Sequence, residues 1–329
     1  MSPIYPWQHS VWERVARPDL LPHALLIYGR QGIGKLDFAR TLTGFLLCSE
    51  SEKTIPCGVC ASCHYLSQGS HPDFIEVFPL EEEGNKKASK VIKVEQVRDL
   101  GERVGLTTHQ GGRRVVLVYP AEALNVNAAN SLLKTLEEPN SGTYLILVSH
   151  RPGMLPLTVL SRCARLEMPL PKEQEALDWL EANHVSKAQS WLVQAGGGPL
   201  LALELSMGDD EPVRLVLLDA LCHPSELNVV ELAERIMHVD FVKVLTWIYK
   251  WVFDLLAALA IGSVRCHADE AEALLRLVFR IERIELARFA QKVIDRMRTV
   301  NHPLNVQLCL EELLLDYRAL FVSRKALLR

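Results

Sequence analysis

The passage from residue 24 to residue 47 constrains the fold more than any other part of the sequence. Ala24-Leu-Leu-Ile-Tyr28 is a short apolar run. It leads directly into Gly29-Arg-Gln-Gly-Ile-Gly34-Lys35. From Lys35 to Leu47, Phe38, Leu42, Phe45 and Leu46 recur at helical spacing. Strand, glycine-rich turn and helix make the first unit of a βαβ architecture. Further apolar runs follow at Phe74 to Phe78, Val115 to Tyr119, Tyr144 to Ser149 and Arg165 to Met168. Glu95 to Val104 and Asn127 to Glu138 read as helices, the second stopped by Pro139. Glu81 to Lys90 is a polar, charged loop. Strands apolar on both faces belong to a parallel sheet covered by helices, so residues 1–167 are expected to form an α/β core.

Beyond Pro169-Leu-Pro171 the strand pattern stops. Residues 168–207 read as short helices broken at Gly196-Gly-Gly198-Pro199, and residues 208–329 as helical throughout, with loops near His223-Pro224, Gly262 and His302-Pro303. The longest apolar stretch, Val244 to Ile261, contains Lys250 and Asp254. It falls short of the roughly 20 clean apolar residues of a membrane span and reads as a core helix. With no apolar run of signal length at the start, the expectation is a soluble, cytoplasmic protein. Hydrophobic residues make up 49% and charged residues 23% of the 329, an ordinary globular balance. The formal net charge is −4. That argues against a chain whose main task is gripping DNA; any DNA contact is expected at a local patch or shared with partner chains.

The glycine segment fits the phosphate-loop pattern G-x-x-x-x-G-K and then departs from it. In a working loop, main-chain N–H groups cradle phosphate oxygens, the lysine reaches the β/γ-phosphates and a Ser or Thr ligates Mg²⁺. Here that last position is Leu36. The bland alternative is an ordinary strand-to-helix turn. The strand Val115-Val-Leu-Val118 should end in an acidic pair that organises Mg²⁺ and water, yet it runs into Tyr119-Pro120, with Glu122 two residues too late. Two losses at one chemistry argue against hydrolysis. Gly29, Gly32, Gly34 and Lys35 remain candidate nucleotide contacts, with ATP binding itself left open.

Of eight cysteines, Cys163, Cys222, Cys266 and Cys309 are scattered and read as core residues. Cys57-Gly-Val-Cys60-Ala-Ser-Cys63 places three thiols at metal-knuckle spacing. Zn²⁺ takes four ligands, and Cys48 is the best fourth, with His64 and His71 as competitors. Free loop thiols and an iron–sulfur cluster are the alternatives. A closed set of four thiolates leaves no open coordination position, so the metal is expected to be structural.

Leu132-Leu-Lys-Thr-Leu-Glu-Glu-Pro139, Ser161-Arg162-Cys163 and Pro22-His-Ala-Leu-Leu26 closely resemble motifs of bacterial DNA polymerase III clamp-loader subunits, members of the AAA+ superfamily. The spacing from Cys48 through Cys63 falls where that family binds zinc. The resemblance spans the chain. It implies an AAA+ α/β core with an inserted zinc module at about 48–71, a helical lid and an all-α collar that mediates oligomerisation. It also implies partners: gamma/tau and delta subunits in a hetero-pentamer, and through that complex the sliding clamp and primer–template DNA. Within the family, gamma/tau subunits hydrolyse ATP, while another kind is a stationary brace. Leu36, Tyr119 and Pro120 point to the brace. So does Gly197-Gly-Pro-Leu200, which stands where an active subunit has Gly-Ser-x-Arg. The resemblance makes Arg162 a finger reaching a neighbour's ATP; alone, the triplet would read as a solvated arginine beside a buried cysteine. The competing functions are an ATP-hydrolysing gamma/tau-like subunit and a zinc-dependent DNA-binding module.

Overall fold

The structure, a computed structural model, describes residues 4–17, 20–50, 54–80, 91–105, 108, 112–299 and 305–321. The charged segment 81–90 and the turn expected at His302-Pro303 lie outside the described residues. The chain divides into two compact units, one of Met1–His184 with Ala195–Ala202, the other of Val185–Gln194 with Leu203–Arg329.

The first unit begins with α1 (His9–Val15), β1 (Ala24–Tyr28), α2 (Lys35–Leu47), α3 (Ala61–Ser67) and β2 (Phe74–Val77). It continues through α4 (Val94–Gly105), β3 (Arg114–Val118), α5 (Val126–Glu137), β4 (Thr143–Ser149), α6 (Leu157–Leu160), β5 (Ala164–Glu167) and α7 (Glu173–Ala182). The expected α/β core with its parallel sheet is present. Five strands lie in the order β2-β3-β4-β1-β5, every pair parallel. Alternate residues face opposite sides, as strand geometry requires. Leu26, Val116, Val118, Leu145 and Leu147 pack with Val97 and Leu100 of α4 and Leu132 and Leu136 of α5. Leu25, Ile27, Val115, Leu117 and Ile146 pack with Phe38, Leu42 and Phe45 of α2 and Trp12 of α1. All of β3 is buried, each large apolar side chain contributing roughly 1.5–3 kcal/mol. The sheet is therefore held by its two helical layers. In such sheets ligands meet the carboxyl ends of the strands. There the glycine segment follows β1, Tyr119 to Glu122 follows β3, and His150 follows β4.

After α7 come α8 (Ala188–Gln194), α9 (Pro199–Ser206), α10 (Glu211–Cys222), α11 (Val229–Ile236) and α12 (Phe241–Ile261). The last three are α13 (Ala271–Val278), α14 (Arg283–Thr299) and α15 (Val306–Ala319). Among its described residues the second unit contains helices joined by loops and no strand. By length and composition α12 is apolar enough to cross a bilayer, yet Leu245, Ile248, Trp251, Val252 and Leu255 lie in this unit's core. Its polar groups are also satisfied internally. Trp251 Nε1 donates to Tyr317 Oη at 2.9 Å, and that hydroxyl donates to Leu221 O at 2.7 Å. Buried Asp254 accepts the main-chain N–H groups of Arg265, Cys266 and His267. Burial opposes its charged form, but the His267 ring, whose Nδ1 lies 2.9 Å from Oδ2, and then these main-chain donors outweigh that burial and lower its pKa.

Candidate functional site

The glycine segment is closed by its own chain. Gly32 and Gly34 have φ of +76° and +78°, a left-handed conformation that suits glycine. A Cβ added at Gly32 would sit 2.4 Å from Leu201 Cβ, and one at Gly198 would sit 2.3 Å from Gln31 O. Leu200 N donates to Gly32 O at 2.9 Å. From the other side, Trp7 Nε1 donates to Ile33 O at 3.0 Å, and Gln8 Nε2 donates to Ile33 O and Gly34 O at 2.8 and 3.0 Å. Tyr5 stacks on Trp7, and Trp179 meets both rings edge-on. Lys35 is 2% exposed, and its Nζ donates to Arg30 O. Burial lowers its pKa to about 8, with the Glu122 carboxylate pulling the other way.

The ends of β3 and β4 complete this edge. Glu122 lies in a 3₁₀ turn, Ala121–Ala123, and accepts His150 N at 3.0 Å. Tyr119 Oη and His150 Nε2 are 3.1 Å apart. Burial, and then the nearby Lys35 charge, push the His150 pKa down to about 4 against the opposing pull of Glu122. The acid that sequence reading placed too late along the chain is thus engaged by the backbone after β4.

The thiols converge. The Sγ atoms of Cys48, Cys57, Cys60 and Cys63 all lie within 4.8 Å of one another. Cys48 and Cys60 are 4.0 Å apart, and Cys57 and Cys63 are 3.9 Å apart. A tetrahedron with Zn–S bonds of about 2.3 Å has sulfurs about 3.8 Å apart. Main-chain N–H groups point at the sulfurs, Cys57 N at Cys48 Sγ (3.5 Å), Cys60 N at Cys57 Sγ (3.3 Å) and Cys63 N at Cys60 Sγ (3.4 Å). Such donors favour thiolates. Burial opposes the Cys60 thiolate, but N–H groups of Ser49 and Cys63 and the neighbouring thiols outweigh it and bring the pKa to about 6. Burial raises Cys63 to about 12. The four residues fit a metal ion such as zinc. His71 is occupied elsewhere, its Nε2 2.8 Å from Ser62 Oγ and its Nδ1 accepting Asp73 N at 3.1 Å, and His64 is not in the cluster.

Arg162 follows α6 on the surface. Its flanks are fixed, with Val159 fully buried and Cys163 7% exposed. Burial raises the Cys163 thiol to about 11, so it stays protonated and serves as packing. The guanidinium Nε donates to Glu137 Oε1 at 2.7 Å, and Nη2 reaches the same oxygen. Nη1 donates to Thr158 O at 3.0 Å and to Ser161 Oγ at 3.3 Å.

A family profile described as "DNA polymerase III, delta subunit" matches residues 6–172. DNA polymerase III subunit delta' of Haemophilus influenzae is 33% identical over 324 residues, covering 94% of this chain and 95% of that protein. The chain belongs to the delta' family of bacterial DNA polymerase III. The delta' subunit of Pseudomonas aeruginosa is 42% identical over 209 residues, 62% of each chain. Likeness extends to DNA polymerase III subunit tau of Escherichia coli, 35% identical over 162 residues, 49% of this chain and 23% of that one.

As a delta' family member the chain shows residues that its sequence did not signal. Tyr5, Trp7 and Gln8 lie in a segment without periodicity, yet they hold the glycine segment. Trp179 sits on a helix whose apolar spacing carries no hint of aromatic contact at the loop. Glu137 is part of the Leu132–Pro139 motif, but nothing in the motif announces its ion pair. The predicted residues Gly29, Gly32, Gly34 and Lys35 do lie together at the carboxyl end of β1, and the four cysteines lie together in a separate cluster.

Proposed function

We propose that this chain is a brace in a DNA polymerase III clamp loader, and that it hydrolyses no ATP of its own. In this reading residues 1–167 are the AAA+ core, 168–207 a lid and 208–329 the collar through which subunits assemble. Partners are gamma/tau and delta subunits in a cytoplasmic hetero-pentamer that loads the sliding clamp on primed DNA. The family assignment supports the loader role. The observation that carries catalytic silence is Lys35, which serves Arg30 O inside its own loop while Leu36 and Pro120 stand where metal and water chemistry needs oxygen ligands. Cys48, Cys57, Cys60 and Cys63 would hold one Zn²⁺, which would supply a cross-link between the end of α2 and the start of α3.

Arg162 is the residue that acts. A phosphoryl transition state gathers charge on the γ-phosphate oxygens, and a guanidinium stabilises it there. With its own loop closed, Arg162 serves a neighbour's nucleotide. The test is a loader rebuilt with Arg162→Ala. Assembly should be normal, with clamp- and DNA-stimulated hydrolysis at one site and clamp loading both falling. Unchanged hydrolysis at that site would return Arg162 to the role of a solvated arginine. The likeness to tau favours a second reading, an ATP-hydrolysing subunit. Turnover by the purified chain alone, lost on Lys35→Ala, would select it.

A further inference from the structure

We infer that Glu137 is the positioning residue for Arg162, fixing one edge of the guanidinium so that the other can turn to a neighbour's phosphate. The inference rests on the finger reading above. Both residues stand on anchored backbone. Glu137 ends α5, whose Leu132 and Leu136 are 0% and 2% exposed. Arg162 sits between buried Val159 and Cys163. The pair therefore joins two rigid elements through two otherwise mobile side chains.

An arginine carries five N–H donors. Here Nε and Nη2 both meet Glu137, and Nη1 meets Thr158 O and Ser161 Oγ. A neighbour's phosphate must displace some of these contacts to be gripped in the bidentate way. The Nη1 edge yields first. Its contacts are to neutral oxygens, and the one to Ser161 Oγ is the longest of the set at 3.3 Å. The contacts to the Glu137 carboxylate are charge-assisted and shorter. Glu137 then remains the pivot while Nη1 swings outward.

The pair is open to water, with side chains 35% and 49% exposed. Exposed pairs add little to stability, so its effect lies in orientation. An arginine freed from its partner spreads over many rotamers, and a group that must meet a transition state loses rate when it is not held in place.

The experiment uses the reconstituted loader, with kcat and KM for stimulated ATP hydrolysis measured separately and the melting of each variant chain as control. Glu137→Ala should lower the finger-dependent kcat by about threefold to tenfold while leaving KM for ATP and melting unchanged. Glu137→Gln, which keeps an acceptor oxygen, should recover most of the loss. Glu137→Lys should repel the guanidinium and match Arg162→Ala. Adding Glu137→Ala to Arg162→Ala should lower the rate no further. If Glu137→Ala and Glu137→Lys keep or exceed wild-type kcat while Arg162→Ala is impaired, Glu137 has no positioning role and the finger stands. If Arg162→Ala itself is unimpaired, finger and positioning residue fall together.

Discussion

Lys35 Nζ donates to the carbonyl of Arg30, within the same glycine segment that would otherwise wrap a phosphate. The lysine is buried, and its lowered pKa of about 8 follows from that burial. A loop competent for nucleotide offers main-chain N–H groups and a free ammonium to phosphate oxygens. This one turns the ammonium inward and receives Leu200, Trp7 and Gln8 on its carbonyls.

The first prediction follows from that arrangement. The purified chain should release no phosphate from ATP above the uncatalysed background. Leu36→Thr should not change this, because the position after β3 still lacks a carboxylate. Steady phosphate release by either protein, abolished by Lys35→Ala, would show that the loop opens and works.

The thiol cluster gives the second. Untagged protein should carry about one Zn²⁺ per chain, by the four-ligand rule. Cys60→Ser should lose the metal and make residues 48–71 sensitive to protease. Far-UV circular dichroism should change little, because β1, β3 and β4 are packed by α2, α4 and α5 rather than by the cluster. Metal-free wild-type protein that resists cleavage in this segment would overturn the assignment.

The sequence made the sheet legible because parallel strands buried on both faces are continuous apolar runs. Val115 to Tyr119 announced β3 to within one residue, although Tyr119 itself lies past the strand end. The thiol cluster was legible because knuckle spacing is rigid over a few residues. The filling of the glycine segment was not. It depends on Tyr5, Trp179 and Leu201, which are far apart in the chain and meet only after folding. Glu137 was hidden for a related reason. Periodicity tells which face of α5 is apolar, but not which polar residue at its end meets an arginine 25 positions later.

His150 sets an acid limit on stability. Its folded pKa of about 4 lies below the ordinary 6.5, through burial and then the Lys35 charge, with Glu122 opposing. The sign follows from linkage. The unfolded chain binds the proton more readily, so this contribution is fully present above about pH 6.5 and is lost as pH falls toward 4. Discounted for partial exposure, it is worth about 1–2 kcal/mol. His71, also lowered by burial, titrates in the same direction, so the reading must be a difference between proteins. His150→Gln should lose that much less stability than wild type between pH 7 and pH 4.5, read from the exchange protection of the Val115 to Val118 N–H groups, roughly 1 kcal/mol or more. Equal losses would show that His150 is protonated in the fold.

Asp73 and Arg114 supply the last prediction. Their side chains are 0% and 3% exposed and meet at 3.2 Å. Arg114 Nη1 also donates to Arg103 O and Val104 O at 2.8 and 3.0 Å, where cations favour the carboxyl end of α4. One guanidinium thus ties the start of β3 to the residue before β2 and to α4. Breaking such a buried pair from one side costs about 3–5 kcal/mol. Asp73→Ala should therefore destabilise the sheet unit by that amount, while the helical unit, which has its own core, should be unaffected. Denaturant melts would mix the two units, since Trp7, Trp12 and Trp179 report on one and Trp191, Trp247 and Trp251 on the other. Amide exchange separates them. The N–H groups of Val115 to Val118 should exchange roughly a hundredfold faster or more in Asp73→Ala, with those of α12 unchanged. An acceleration below about tenfold, or 1.4 kcal/mol, would mean that water or a neighbouring group takes over the guanidinium and that the pair is not what holds the edge of the sheet together.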